Sequence, residues 1–155
     1  MPESCDISKR PPGPEGNPPA DVIAGILKSA KTIAVVGLSD KPGRASNDVA
    51  AYLMDHGYTI IPVNPALNER GWKGIKAYAK LPEIPGEVDI VDFFMRAELI
   101  GGLVDEVIAK GPKVAWLQLG IVNNEAARRL RAAGMTVVQD KCVKIEHRAL
   151  ATDSY

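Results

Sequence analysis

The strongest constraint on the fold of this chain is the alternation of short β-branched runs with segments of helical period. Strands separated by helices at this spacing pair as a parallel α/β sheet. Thr32–Val36, Thr59–Val63, residues 88–94, Val114–Leu117 and residues 135–138 read as strands, and a further short strand is expected around 75–81. Residues 20–30 form the first expected helix, with Val22, Ile23, Ile26 and Leu27 on one side. A second starts near Ser46, carries Val49, Ala50, Leu53 and Met54, and meets its cap at Gly57. In the third, Leu99, Ile100, Leu103, Val104, Val107 and Ile108 recur at helical spacing before Lys110, Gly111 and Pro112. Asn123 caps a fourth, which carries Ala126, Ala127 and Leu130 and ends at Gly134. The order β-α-β-(β)-β-α-β-α-β implies an α/β, Rossmann-like, doubly wound, mainly parallel sheet with helices on both faces.

One domain suits 155 residues. Residues 1–19, rich in proline and glycine, hold too few apolar groups to offset the entropy of ordering, so a disordered tail is expected there. The folded domain is then expected over 20–150, followed by a C-terminal tail over 151–155. Nineteen Lys+Arg balance nineteen Asp+Glu, which argues against a nucleic-acid or anionic-membrane binder while leaving room for a local anion site. The start is polar, without a leader's apolar core or a spanning segment, and Cys5 and Cys142 cannot form a disulfide framework. A cytoplasmic protein is the simplest expectation.

In an open α/β sheet the ligand lies outside the carboxyl ends of the strands, near the point where strand order reverses. Those ends are residues 37–46, 64–65, 94–98 and 118–122. The first is a long loop, GLSDKPGRAS, in which Lys41 and Arg44 outnumber Asp40 and which leads into a helix N-terminus. Backbone amides and partial positive charge at such a terminus favour an anion. The competing account is a solvated turn in which Ser46 or Asn47 merely caps the helix.

Nucleotide and enzyme motifs fit poorly. A nicotinamide dinucleotide requires G-x-G-x-x-G, yet position 39 is serine, and Val63, Asn64 and Pro65 stand where an acid for the ribose is needed. No phosphate-binding G-x-x-x-x-G-K-[ST] occurs, and no His or Cys pair has metal-ligand spacing. Ser39, Asp92 and His147 follow hydrolase order, but Lys41 replaces the final glycine of a nucleophile elbow. His56 and His147 read as surface residues rather than bases. Binding is favoured over catalysis, and the alternatives are a nicotinamide-dinucleotide-binding regulatory module or a small hydrolase using Ser39.

The stretch KTIAVVGLSDKPGRASNDVAAYLMDHGYTIIPVNP resembles the opening of the small single-domain coenzyme A-binding proteins. Their fold is similar to the coenzyme A-binding domain of the succinyl-CoA synthetase alpha subunit. The resemblance continues through VDIVDFFMRAE, WLQLGIVNNEAARRLRAAGMTVVQDKC and KIEH. It implies a cofactor, coenzyme A or an acyl-CoA, as the small-molecule nucleotide ligand. Residues 37–46, Gly37, Leu38 and Ser46 among them, would hold its phosphates, with Ser39, Lys41 and Arg44 as donors. Val63, Asn64 and Pro65 would lie against the adenosine, Phe94 and Arg96 would flank the ligand, and Gln118, Gly120 and Ile121 would approach the pantetheine. The family commonly has two arginines after the phenylalanine, whereas this chain has Met95-Arg96. The synthetase's phosphohistidine region is absent, so ligase activity is not implied. Trp72 and Trp116 read as packing residues, and Cys142, beside Lys141 and Lys144, as a buried thiol. A mixed disulfide with coenzyme A, itself a thiol, is the reactive alternative for Cys142.

Overall fold

A computed structural model describes residues 13–152. The strands are β1 (Thr32–Val36), β2 (Thr59–Val63), β3 (Ile90–Phe93), β4 (Val114–Leu117) and β5 (Thr136–Val138). They pair in parallel, in the order β2-β1-β3-β4-β5. Alternate residues of each strand point to opposite faces, and both faces are covered. One carries Ile33, Val35, Ile60, Ile90 and Trp116 against α1 (Ala20–Ser29), α2 (Ala45–Asp55) and α6 (Val143–Thr152). The other carries Ala34, Val63, Val91, Phe93 and Leu117 against α4 (Val104–Lys110) and α5 (Asn124–Ala132). This is the doubly wound, Rossmann-like sheet that the alternation implies.

Local chemistry explains where elements stop. The third expected helix is broken: α3 (Ala97–Ile100) passes through a 3-10 turn at Gly101–Leu103 before α4 begins. Gly101 and Gly102 supply no side chain to pack and are poor helix formers, so apolar periodicity alone overstates continuity there. Ile100, Val104 and Val107 still face the core, whereas Leu99 and Ile108 are exposed. No strand forms at 75–81. Trp72 pairs with Ile75, and Val63 with Tyr78, as isolated bridges. The chain turns through positive φ at Gly71, Lys73 and Gly74, which leaves no run long enough to join the sheet.

The tail expectation requires correction over residues 13–19; residues 1–12, Cys5 included, lie outside the described residues. Asn17 donates from Nδ2 to the Gln139 carbonyl at 2.8 Å and accepts the Gln139 amide on Oδ1 at 2.7 Å. Glu15 receives two hydrogen bonds from Arg128, and its amide donates to Asn124 Oδ1. A polar segment is thus anchored by hydrogen bonds, which composition does not register. Asn17→Ala should lower the unfolding free energy by about 1–2 kcal/mol through loss of both bonds. An unchanged urea midpoint would show that the segment contributes nothing. At the other end α6 continues through Thr152, so 151–152 extend the helix, and 153–155 lie outside the described residues.

Candidate functional site

Gly37 ends β1 at the reversal of strand order, where β1 has β2 on one side and β3 on the other. Its amide donates to the Val63 carbonyl at 2.8 Å, and the Phe94 amide donates to the Val36 carbonyl at 2.9 Å. Gly37 has φ +86°, and a Cβ on it would lie 2.2 Å from the Phe94 carbonyl oxygen. Glycine is needed because two main chains meet there, not only because a ligand could approach.

The following loop is held by its own hydroxyls. The Ser39 amide donates to Ser46 Oγ at 3.0 Å, and the Lys41 amide donates to Ser39 Oγ at 3.1 Å. A hydroxyl that accepts in this way still has a hydrogen to donate. Asn47 donates from Nδ2 to the Lys41 carbonyl and accepts Trp72 Nε1, so it braces the loop and does not cap the helix. Arg44 is the N-cap of α2, and no side chain caps that terminus. The first-turn amides therefore have no partner within the helix.

Two cavities flank this turn. One, of about 490 Å³, lies toward β4 and α6 and is lined by Gly37, Ser39, Arg44, Ser46, Phe94, Met95, Gln118, Leu119, Ile121, Cys142 and Ile145, among others. The second, of about 330 Å³, lies toward β2 and α4 and is lined by Val36, Gly37, Val63, Asn64, Pro65, Leu81, Met95, Leu103 and Glu106, with Ala79 and Lys80. Gly37 and Met95 belong to both, so the cavities meet at the switch point. A larger one of about 830 Å³ lies within the 64–79 loop and shares Asn64, Pro65 and Ala79 with the second.

The expected residues divide accordingly. Gly37, Ser39, Arg44, Ser46, Phe94, Gln118 and Ile121 gather around the first cavity, and Gly37, Val63, Asn64 and Pro65 around the second. Leu38 does not join them by side chain, which is fully buried in the core; its carbonyl accepts Asn64 Nδ2 at 3.1 Å. Lys41, Arg96 and Gly120 line neither cavity. Arg96 is exposed and lies 3.5 Å from Glu98, and the Gly120 amide donates to Asp140 Oδ1 at 2.7 Å. Gln118 is buried, and its Oε1 accepts the Val143 amide at the start of α6, so it positions that helix. Trp72 and Trp116 are fully buried, as expected of packing residues. Cys142 is partly exposed rather than buried.

Sequence reasoning placed Ala45 and Leu119 within the expected strand-end segments but missed Val49 and Ile145 around the first cavity and Leu103 and Glu106 beside the second. Glu106 looks like an ordinary helix surface charge in the sequence. Only the packing of α4, which lies against the turn at Leu81–Glu83, buries one of its carboxyl oxygens without a hydrogen-bond partner.

Ser39, Asp92 and His147 are not brought together. Ser39 lines the first cavity, whereas His147 lines one at the opposite ends of the strands, with Lys31, His56 and Tyr58. His147 is partly buried rather than a surface residue: Nδ1 is 2.8 Å from Tyr52 Oη, and burial, with His56 nearby, lowers its pKa. Asp92 is fully buried in β3, in register between Val35 and Trp116. Among the described residues no group of three or more His, Cys, Asp or Glu could hold a metal ion, and no helix is long and apolar enough to cross a membrane.

Comparison with known proteins identifies the family of the chain. The chain is 45% identical over 131 residues to the uncharacterized protein YneT of Bacillus subtilis (strain 168), covering 84% of this chain and 96% of that protein. A solved structure of a hypothetical protein from Pyrococcus horikoshii OT3 superposes with a TM-score of 0.83 at 37% identity, covering 92% of this chain and 99% of that one. The alpha subunit of ADP-forming acetate–CoA ligase I from Pyrococcus furiosus is 35% identical over 92 residues, which cover 57% of this chain but only 20% of that subunit. Residues 31–148, which include every strand and every residue lining the two cavities, match the family described as the CoA binding domain, and the chain belongs to that family.

Proposed function

We propose that this protein binds coenzyme A or an acyl-CoA, without catalysing a reaction, along the two cavities that meet at Gly37. That junction is the observation that carries the reading. A ligand with a nucleotide end, a central pyrophosphate and a long arm needs two compartments joined where anions are favoured. Here the phosphates meet the α2 N-terminus, the Ser39 and Ser46 hydroxyls and Arg44. The adenosine side takes the second cavity, beside Val63 and Pro65, and the pantetheine takes the first, toward Ile121 and Cys142. A nicotinamide dinucleotide lacks its usual ribose acid, because Asn64 replaces it and its side chain already serves Leu38 and Ala66. Among the described residues no base is positioned against Ser39, whose Oγ accepts the Lys41 amide, so a thioester would survive.

Thermal unfolding with a ligand panel tests this. Coenzyme A at a hundredfold excess over its dissociation constant should add about 2.7 kcal/mol of stability, and NADH little. Acyl-CoA should be recovered intact after long incubation. Preferential stabilisation by NADH would overturn the coenzyme A reading. Thioester hydrolysis abolished by Ser39→Ala would make the protein an enzyme.

A further inference from the structure

The first cavity changes character from one side to the other. Ser39, Arg44 and Ser46 line it at the end of β1 and the start of α2, whereas Leu119, Ile121 and Ile145 line it beyond the end of β4 and on α6. Strand β3 stands between β1 and β4, so the two strand ends lie about 10 Å apart, two strand spacings. Leu119 and Ile145 are 63% and 53% exposed, the two most exposed large hydrophobic side chains among the described residues. Single exposed apolar residues are ordinary, but two on the wall of one cavity mark a place for an apolar occupant.

Gln118 adds a donor beside them. It is 4% exposed, and its Oε1 accepts the Val143 amide, which fixes the side-chain amide and leaves Nε2 as the donor. Nε2 makes no hydrogen bond, yet the unpartnered side-chain atoms sealed from solvent belong, among the described residues, to Asp92 and Glu106 alone. Nε2 therefore keeps surface. Gln118 lines the first cavity and neither of the other two at these strand ends, so that surface opens there. A donor left over on a cavity wall calls for an acceptor on the occupant. A thioester supplies both needs, a carbonyl oxygen and an apolar chain next to it.

We propose that the ligand is an acyl-CoA rather than free coenzyme A: its thioester carbonyl accepts a hydrogen bond from Gln118 Nε2, and its acyl chain lies against Leu119, Ile121 and Ile145. This rests on the coenzyme A reading and names the form of ligand that the site takes. The phosphates stay beside α2, and the arm crosses the end of β3 at Phe94 and Met95 to bring the thioester to Gln118.

Calorimetry with coenzyme A, its acetyl, butyryl and hexanoyl thioesters, and the thioether S-butyl-CoA tests the assignment. In the native protein each added methylene of the acyl chain should tighten binding by about two- to fourfold, as burial of apolar surface requires. Butyryl-CoA should bind about two- to tenfold tighter than S-butyl-CoA, which has no carbonyl to accept the Gln118 donor. The double variant Leu119→Ser, Ile145→Ser should bind the hexanoyl and acetyl thioesters almost equally. Its melting temperature should hold, because both side chains are exposed. Val22→Ser, an exposed apolar position on α1, should keep the native preference for the longer chain. If coenzyme A and all three thioesters bind with equal affinity, the coenzyme A site stands and the acyl reading falls. The proposal also falls if the double variant keeps the chain-length preference, or if the thioether binds as tightly as butyryl-CoA. Failure of the native protein to bind any of these ligands would overturn both readings.

Discussion

Replacing Gly37 by alanine is expected to destabilise the fold by about 3–5 kcal/mol, a large part of the roughly 5–15 kcal/mol that holds a domain together. Two effects add. A residue with a Cβ at φ +86° is strained by about 1–2 kcal/mol. That Cβ would also stand 2.2 Å from the Phe94 carbonyl oxygen, and relieving the clash means moving β1 away from β3, where the Val36 and Phe94 main chains are bonded. The melting temperature should fall by about 6–20 °C. Gly43→Ala is the control, because φ is +85° there but nothing lies within 4 Å of the added carbon. It should cost only the strain. Equal losses in the two variants would mean that the β1–β3 junction yields without cost. A glycine chosen for ligand approach alone would tolerate substitution in the folded state, and this one should not.

Asp92 is expected to make stability fall as pH rises. The side chain is fully buried, neither carboxyl oxygen has a hydrogen-bond partner, and its strand neighbours are Val35 and Trp116. Trp116 offers no help, since its Nε1 donates to the Lys141 carbonyl. Burial raises the Asp92 pKa well above its ordinary value of 3.8. Below that ordinary value both the native and the unfolded chain hold the proton, and pH has no leverage through this group. Above it the unfolded chain releases the proton while the native chain retains it, so unfolding is favoured progressively until Asp92's raised pKa is reached. Asp92→Asn cannot ionise, and other groups cancel in the comparison. Urea titrations of both proteins from acid to neutral pH should show the variant gaining on the native protein at a slope approaching about 1.4 kcal/mol per pH unit. A difference independent of pH would show that Asp92 finds a partner or solvent.

Several elements were legible from local physics. Thr32–Val36, Thr59–Val63 and Val114–Leu117 form as β-branched runs read them, and Asn123 caps α5 through the Ala126 amide. Polar and apolar period settle such choices within a few residues, whatever the rest of the chain does. The strand order follows less directly, but right-handed crossovers leave few alternatives, and the carboxyl ends of the strands then mark where a ligand lies. That reasoning located Gly37, Ser39, Arg44, Asn64, Phe94 and Gln118 in one region.

What only the tertiary structure decided is which of those groups are free. Asn64 and Gln118 are polar residues at strand ends in the sequence, yet one ties two loops together and the other holds α6. Asn17 looks like part of an unattached leader until Gln139, remote in sequence, presents both a carbonyl and an amide to it. Glu106 borders the second cavity because α4 packs against the turn at Leu81–Glu83, and Asp92 is buried because helices cover both faces of its strand. Hydrophobic period reports which side of an element turns inward. It carries no information about which distant donor or acceptor arrives there, and that pairing, made across the fold, determines whether a polar side chain braces the structure or remains available to a ligand.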